Sequence, residues 1–136
     1  MLTPPVLKIL QMKNPLSILI IEQEQNSCKE IQDFLKGEGF FVRLLQSIEE
    51  AHPILQNNST DILIIEICLP DSESLDLVKN YKSSFPGLEV IVISGYGDMD
   101  SVIQAMRLRV LDFLLKPLCL TDLRAAIERS QRIQVM

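Results

Sequence analysis

Four short apolar runs in this chain each end in a residue that can do chemistry. Residues 17–21 (SILII) lead into Glu22, Gln23 and Glu24, and residues 61–65 (DILII) into Glu66. Residues 89–93 (EVIVI) lead into Ser94 and Gly95, and residues 112–115 (DFLL) into Lys116 and Pro117. A fifth run, residues 40–45 (FFVRLL), ends at the plainer Gln46. Carboxylates and amide oxygens can hold a hard cation. A hydroxyl can bond an oxyanion, and a lysine can neutralise it. A single acid at the end of an apolar run is ordinary loop. Acids, a hydroxyl and a lysine closing four separate runs make a candidate site. The competing chemistries lack parts. The one histidine, His52, lies beside Pro53 away from these ends and reads as surface, so no Ser-His-Asp or Cys-His set can be assembled. Cys28, Cys68 and Cys119 have no CxxC spacing and read as buried apolar residues of a reducing cytosol, with no zinc cluster.

The elements that must position these residues can be read between them. Each apolar run is short and rich in Val, Ile or Leu, as strands buried on both faces are. Asn26 opens a helical pattern that stops at Gly37, and Ser47 with Glu50 has capping-box spacing for a second that fades at Asn57. Asp71 or Ser72 opens a third, ending at Phe85-Pro86-Gly87. Asp98 caps a fourth, with Val102, Ile103, Ala105 and Met106 expected inward; Thr121 caps a fifth, with Leu123, Ala126 and Ile127 on its apolar stripe. Strands alternating with helices imply parallel pairing, and right-handed crossovers put helices on both faces. The expected fold class is α/β: an open, doubly wound, five-stranded parallel sheet in a three-layer (βα)5 sandwich of flavodoxin-like type. In such sheets ligands bind beyond the carboxyl ends of the strands, where the four reactive ends meet. One echo supports two similar buried strands, each ending in an acid: residues 18–22 (ILIIE) recur letter for letter as residues 62–66.

Composition bounds the rest. A chain of 136 residues reads as one domain with a real core, and 47% hydrophobic with 23% charged residues is an ordinary globular balance. The net charge of −5 argues against direct binding to nucleic acid, because phosphate contacts need a basic face. No apolar run approaches a membrane span, and the N-terminus lacks the basic start and long apolar stretch of a signal peptide. The expected location is cytoplasmic. The expected domains are an N-terminal arm at 1–16, set apart by Pro4-Pro5 and Asn14-Pro15, a globular domain at 17–133 and a tail at 134–136.

Two stretches carry a family resemblance. The first runs from Val92-Ile93-Ser94-Gly95-Tyr96-Gly97-Asp98 through Ala105-Met106 to Asp112-Phe113-Leu114-Leu115-Lys116-Pro117. The second is Ile65-Glu66-Ile67-Cys68-Leu69-Pro70-Asp71. Together they resemble the CheY-like receiver domain of two-component response regulators, over nearly the whole chain beyond the arm. The resemblance implies phosphorelay signalling without turnover by the domain itself. It puts Glu22 and Gln23 at the acidic pair that holds Mg²⁺, with Glu66 at the phosphoacceptor position. Ser94 and Lys116 take the positions that contact the phosphoryl group, Phe113 takes the switch aromatic, and the Lys116–Pro117 bond is expected cis. It also implies a sensor histidine kinase and an output domain or protein as partners. A homodimer through the fourth helix, fifth strand and fifth helix is a further implication; Asp98, Asp100, Arg107, Arg109, Arg124 and Glu128 offer charges for it.

The departures from the family pattern fall on the chemistry. Glu66 stands where the phosphorylated aspartate is expected, and Gln23 replaces a carboxylate by an amide. Ser74 stands at a usual glycine, and Arg109-Val110 at a usual Gly-Ala. The extra methylene of Glu66 moves its carboxylate by about 1 Å, and in-line transfer tolerates such misplacement badly. Beside Glu22, a buried Glu66 meets like charge and desolvation, which Lys116 can relieve. Two outcomes stay open: Glu66 as a fixed stand-in for aspartyl phosphate, or a decayed site with a structural Glu66–Lys116 pair. The alternative class is a flavodoxin-like flavin or small-molecule binder. Against it, the loop Glu22-Gln23-Glu24-Gln25-Asn26-Ser27 lacks the glycines of a phosphate cradle and would repel an anion.

Overall fold

The structure, a computed structural model, describes residues 16–22, 28–57, 59–67, 72–95 and 99–130. Strands and helices alternate strictly: β1 (Ser17–Glu22), α1 (Cys28–Gly37), β2 (Phe41–Leu45), α2 (Ile48–Gln56), β3 (Ile62–Ile67), α3 (Ser72–Ser84), β4 (Glu89–Ser94), α4 (Met99–Arg107), β5 (Asp112–Leu115) and α5 (Leu120–Glu128). The five strands pair in parallel in the order β2-β1-β3-β4-β5. The expected doubly wound α/β sandwich is what the chain forms. The two echoed segments are immediate neighbours, in register from Ile18 against Ile62 to Glu22 against Glu66.

Strand periodicity divides the core. Ile18, Ile20, Ile62, Ile64 and Ile93 join a cluster roofed by Ile31 and Leu35 of α1 and by Leu123 and Ile127 of α5. Their neighbours Leu19, Ile21, Leu63 and Ile65 face the other way, against Leu55 of α2, Val78 of α3 and Ala105 of α4. Continuing that alternation, Glu22 and Glu66 fall on the α1 and α5 side. Every residue of β3 is buried, which is why the sheet's centre tolerates an uninterrupted apolar run.

Helix ends follow local chemistry, with two corrections. Ser47 caps α2 as expected, its Oγ accepting the Glu50 N–H at 3.3 Å. The N-cap of α5 is Cys119, and Thr121 lies in the first turn, so the helix starts two residues before a Thr121 cap would allow. In α4 the buried residues are Ser101 and Ala105, while Ile103 (39% exposed) and Met106 (48%) face solvent rather than the core. The apolar letters there suggested an inward stripe; the core takes the small residues instead. After α4 the chain turns at Arg109, whose φ of 62° is left-handed, a conformation glycine adopts without penalty. The Asp98 cap lies outside the described residues. Among those described, no helix is long and apolar enough to cross a membrane.

Candidate functional site

The site is built at the carboxyl ends of β1 and β3, where the crossovers leave in opposite directions around the sheet. Glu22 and Glu66 are cross-strand partners, 4% and 1% exposed. The first turn of α1 sits over them. Its Cys28 N–H donates to Glu22 Oε1 at 3.2 Å, so the carboxylate bonds one of the amides a helix start leaves over. The Cys28 thiol donates to Glu66 Oε2 at 3.4 Å, and Lys116 Nζ meets the same oxygen at 3.0 Å. A buried charge this far from water is tolerated only when paired and hydrogen-bonded, and Lys116 supplies the opposite charge.

Lys116 is held by its own elements. Its N–H donates to the Ser94 carbonyl at 2.9 Å at the end of β4, and its side chain passes close to Gly95. The Lys116–Pro117 bond is cis, as expected. Ser94 is fully buried at the same edge. Beside the pair opens a cavity of about 410 Å³, walled by Ile31, Ile93, Leu118 and Leu120 with Glu66 and Lys116 among its lining. Phe113 is half-buried on the α2–α4 side of the sheet, while Leu111 and Leu114 pack on the other.

The structure therefore brings Glu22, Glu66 and Lys116 together, with Ser94 at the neighbouring strand end. Gln23, Glu24, Asn26, Cys68, Asp71, Tyr96 and Asp98 lie outside the described residues, as does the side chain of Ser74. Cys28 is the member that sequence reasoning missed. Its signal was its place six residues after Glu22 in a helix rooted over the strand ends. The cysteines divide: Cys28 is buried but in polar contact, and Cys119 is exposed rather than core. The Cys119 thiol lies 2.8 Å from Thr121 Oγ1; that contact, with the amides of Asp122 and Thr121, holds its pKa below the ordinary thiol value. Arg124, expected among surface charges, pairs with Glu38 just past the end of α1 and lies over the Phe34 ring of that helix at 5.2 Å. His52 is exposed, its ring edge-on to Phe85.

Comparison with known proteins decides the family. The model of the response regulator receiver domain matches residues 18–128. The chain belongs to the response regulator receiver family. As a receiver domain it is part of two-component signalling. It is similar to the transcriptional regulatory protein ZraR of Escherichia coli, 24% identical over 115 residues, covering 85% of this chain and 26% of that protein. The receiver thus spans about a quarter of the length of that relative. Among solved structures it resembles a response regulator from Thermotoga maritima (TM-score 0.77, 23% identity, covering 85% of this chain and 97% of the other). It also resembles a receiver domain from Clostridium thermocellum (TM-score 0.74, 30% identity, 85% and 93% covered).

The receiver family implies Mg²⁺ at these strand ends; the described oxygen donors there are the carboxylates of Glu22 and Glu66, and Gln23 lies outside the described residues. Mg²⁺ requires near-octahedral hard oxygen ligands. Among the described acidic, histidine and cysteine side chains, the third group within ligand reach of Glu22 and Glu66 is the Cys28 sulfur, and Lys116 pairs with Glu66 Oε2.

Proposed function

We propose that this receiver signals with its phosphoacceptor position filled by a fixed carboxylate, presenting one state of its surface to a partner rather than cycling through phosphorylation. The observation that carries the reading is the convergence of Lys116 Nζ at 3.0 Å and the Cys28 thiol at 3.4 Å on Glu66 Oε2. In this reading Glu66 occupies the phosphoacceptor position, and Glu22 with Gln23 forms the remainder of the acidic pocket. Ser94 and Lys116 keep the phosphoryl-contact positions, and Phe113 keeps the switch aromatic. Lys116 then sees a permanent negative charge where a receiver ordinarily gains one. The state is set by covalent sequence, not by a kinase.

The surface that reads this state is the α4–β5–α5 face. Four of the large apolar side chains most open to solvent, Met99, Ile103, Met106 and Leu115, lie on α4 and β5. Such a patch fits an output domain or a second receiver. Relatives are transcriptional regulators by name, so a transcriptional output fits the full protein, with the 17–133 domain as its receiver and 1–16 and 134–136 as flanking segments. The test is phosphorylation from acetyl phosphate with Mg²⁺. Wild type stays unmodified, and the Glu66→Asp, Gln23→Asp double variant takes up one phosphoryl group by intact mass. Uptake at Glu66 in the wild type would overturn the proposal.

A further inference from the structure

We propose that the N-terminal arm folds back as a strap and seats its apolar stretch, residues 6–10 (VLKIL), in a cavity at the amino ends of β1 and β2. Residues 1–15 lie outside the described residues; the berth and the joint lie within them. The berth has a volume of about 380 Å³ and is walled by Ser17 and Leu19 of β1, Phe41 and Arg43 of β2, and Ile54 of α2. It lies on the opposite rim of the sheet from Glu22 and Glu66, so the proposal does not rest on the phosphoacceptor reading. β2 is an edge strand. On the side that faces α2 its Leu45 packs into the core, while Phe41 is 56% exposed and Arg43 is exposed. An open edge with an aromatic side chain is the kind that native sheets cover with a helix or a loop.

The point where the arm joins the domain selects it as the occupant. Leu16 is 1% exposed, and its carbonyl accepts the Phe41 N–H at 3.0 Å. Ser17, itself part of the wall, is the cross-strand neighbour of Phe41. The arm therefore leaves the domain at the berth, its last residue one Cα step of about 3.8 Å from Leu16. Between Ile9 and Leu16 the chain can span up to about 25 Å, ample for a return over a cavity of this size. Val6, Leu7, Ile9 and Leu10 supply the apolar contact. Lys8 and Lys13, with no acid in the segment, give it the sign opposite to a chain of net charge −5. Arg43, though of like charge, is long enough to keep its head in water over an apolar occupant. Tethering sets a local concentration of about millimolar, which favours the arm over a second copy or a free partner at about micromolar concentration.

The test uses Phe41→Trp in the full chain, which has no other tryptophan, so its emission reports on the berth alone. With the arm present the emission lies to the blue and resists quenching by acrylamide. Deleting residues 1–15, or changing Leu7→Ser and Leu10→Ser together in the full-length chain, shifts it to the red and opens it to the quencher. Circular dichroism of each variant stays that of the parent, because no described residue but Phe41 is altered. A synthetic peptide of residues 1–15 added to the deleted form restores the blue emission saturably. Equal emission with and without the arm, or blue emission that survives the paired Leu7 and Leu10 changes, overturns the proposal. Blue emission that is lost on diluting the full chain overturns it as well, by assigning the berth to a second copy.

Discussion

Cys28 shows how far residue types alone carry. The acids, the serine and the lysine were legible because each closes an apolar run, and strand ends have a known destination in this sheet. A cysteine has no such flag, since most are apolar core. Only the placement of α1 over β1 and β3 turns its sulfur toward Glu66. The Glu66–Lys116 pair was legible as an option, and its contact was not, because reach depends on the turn through Pro117. At this scale one energetic outcome follows. Removing Lys116 leaves a carboxylate with a 2%-exposed side chain short of its ammonium. Lys116→Met should therefore cost about 2–4 kcal/mol, toward the lower part of the range for broken buried pairs because the ammonium is partly in water. Adding Glu66→Gln should return part of that loss, since the charge needing compensation is gone. Urea unfolding of the two singles and the double variant measures both. A Lys116→Met cost near zero would mean that Glu66 is not relying on the pair.

Elements were legible where their punctuation was chemical. The Ser47 cap, the alternation of strand and helix and the parallel pairing all follow from short-range rules. The inward face of α4 was not legible, because Val102, Ile103, Ala105 and Met106 look equally apolar in one dimension. The core admits Ala105 and Ser101, whose small size lets the helix lie close to the sheet, and leaves Ile103 and Met106 outside. The end of α4 carries a measurable cost. Arg109 holds a left-handed backbone at φ 62°, a conformation that costs a residue with a Cβ about 1–2 kcal/mol. Arg109→Gly removes that penalty but adds flexibility to the unfolded chain. The expected net gain is about 0.5–1 kcal/mol, seen as a rise in Tm of about 2–4 °C. A fall in Tm would show that the arginine side chain contributes more than its backbone costs.

At the scale of the molecule, the sheet is a scaffold with its chemistry on one rim and its largest apolar exposure on α4 and β5. The opposite face of the sheet contributes a titration of its own. Burial, with the carboxylate of Glu49 adding to it, pushes the Tyr81 phenol above its ordinary value. The folded state thus keeps its proton at a pH where the unfolded chain releases it. Stability from this group is complete below about pH 10, the unfolded value, and drains as pH rises through the folded value. Melting curves of wild type and Tyr81→Phe should run parallel below pH 10 and converge or cross above it. The variant with no phenol to ionise should lose less. The register of β1 against β3 has a different kind of consequence. Two neighbouring berths in the sheet accept the same five letters, from Ile18 against Ile62 to Glu22 against Glu66. Side-chain fit alone cannot decide which segment takes which berth. The choice falls to the flanking crossovers, where α1 and α3 share no such sequence and the handedness of the connection permits one arrangement. In this chain the connecting helices carry information that the two repeated strand segments do not, because α1 and α3 differ where the strands agree.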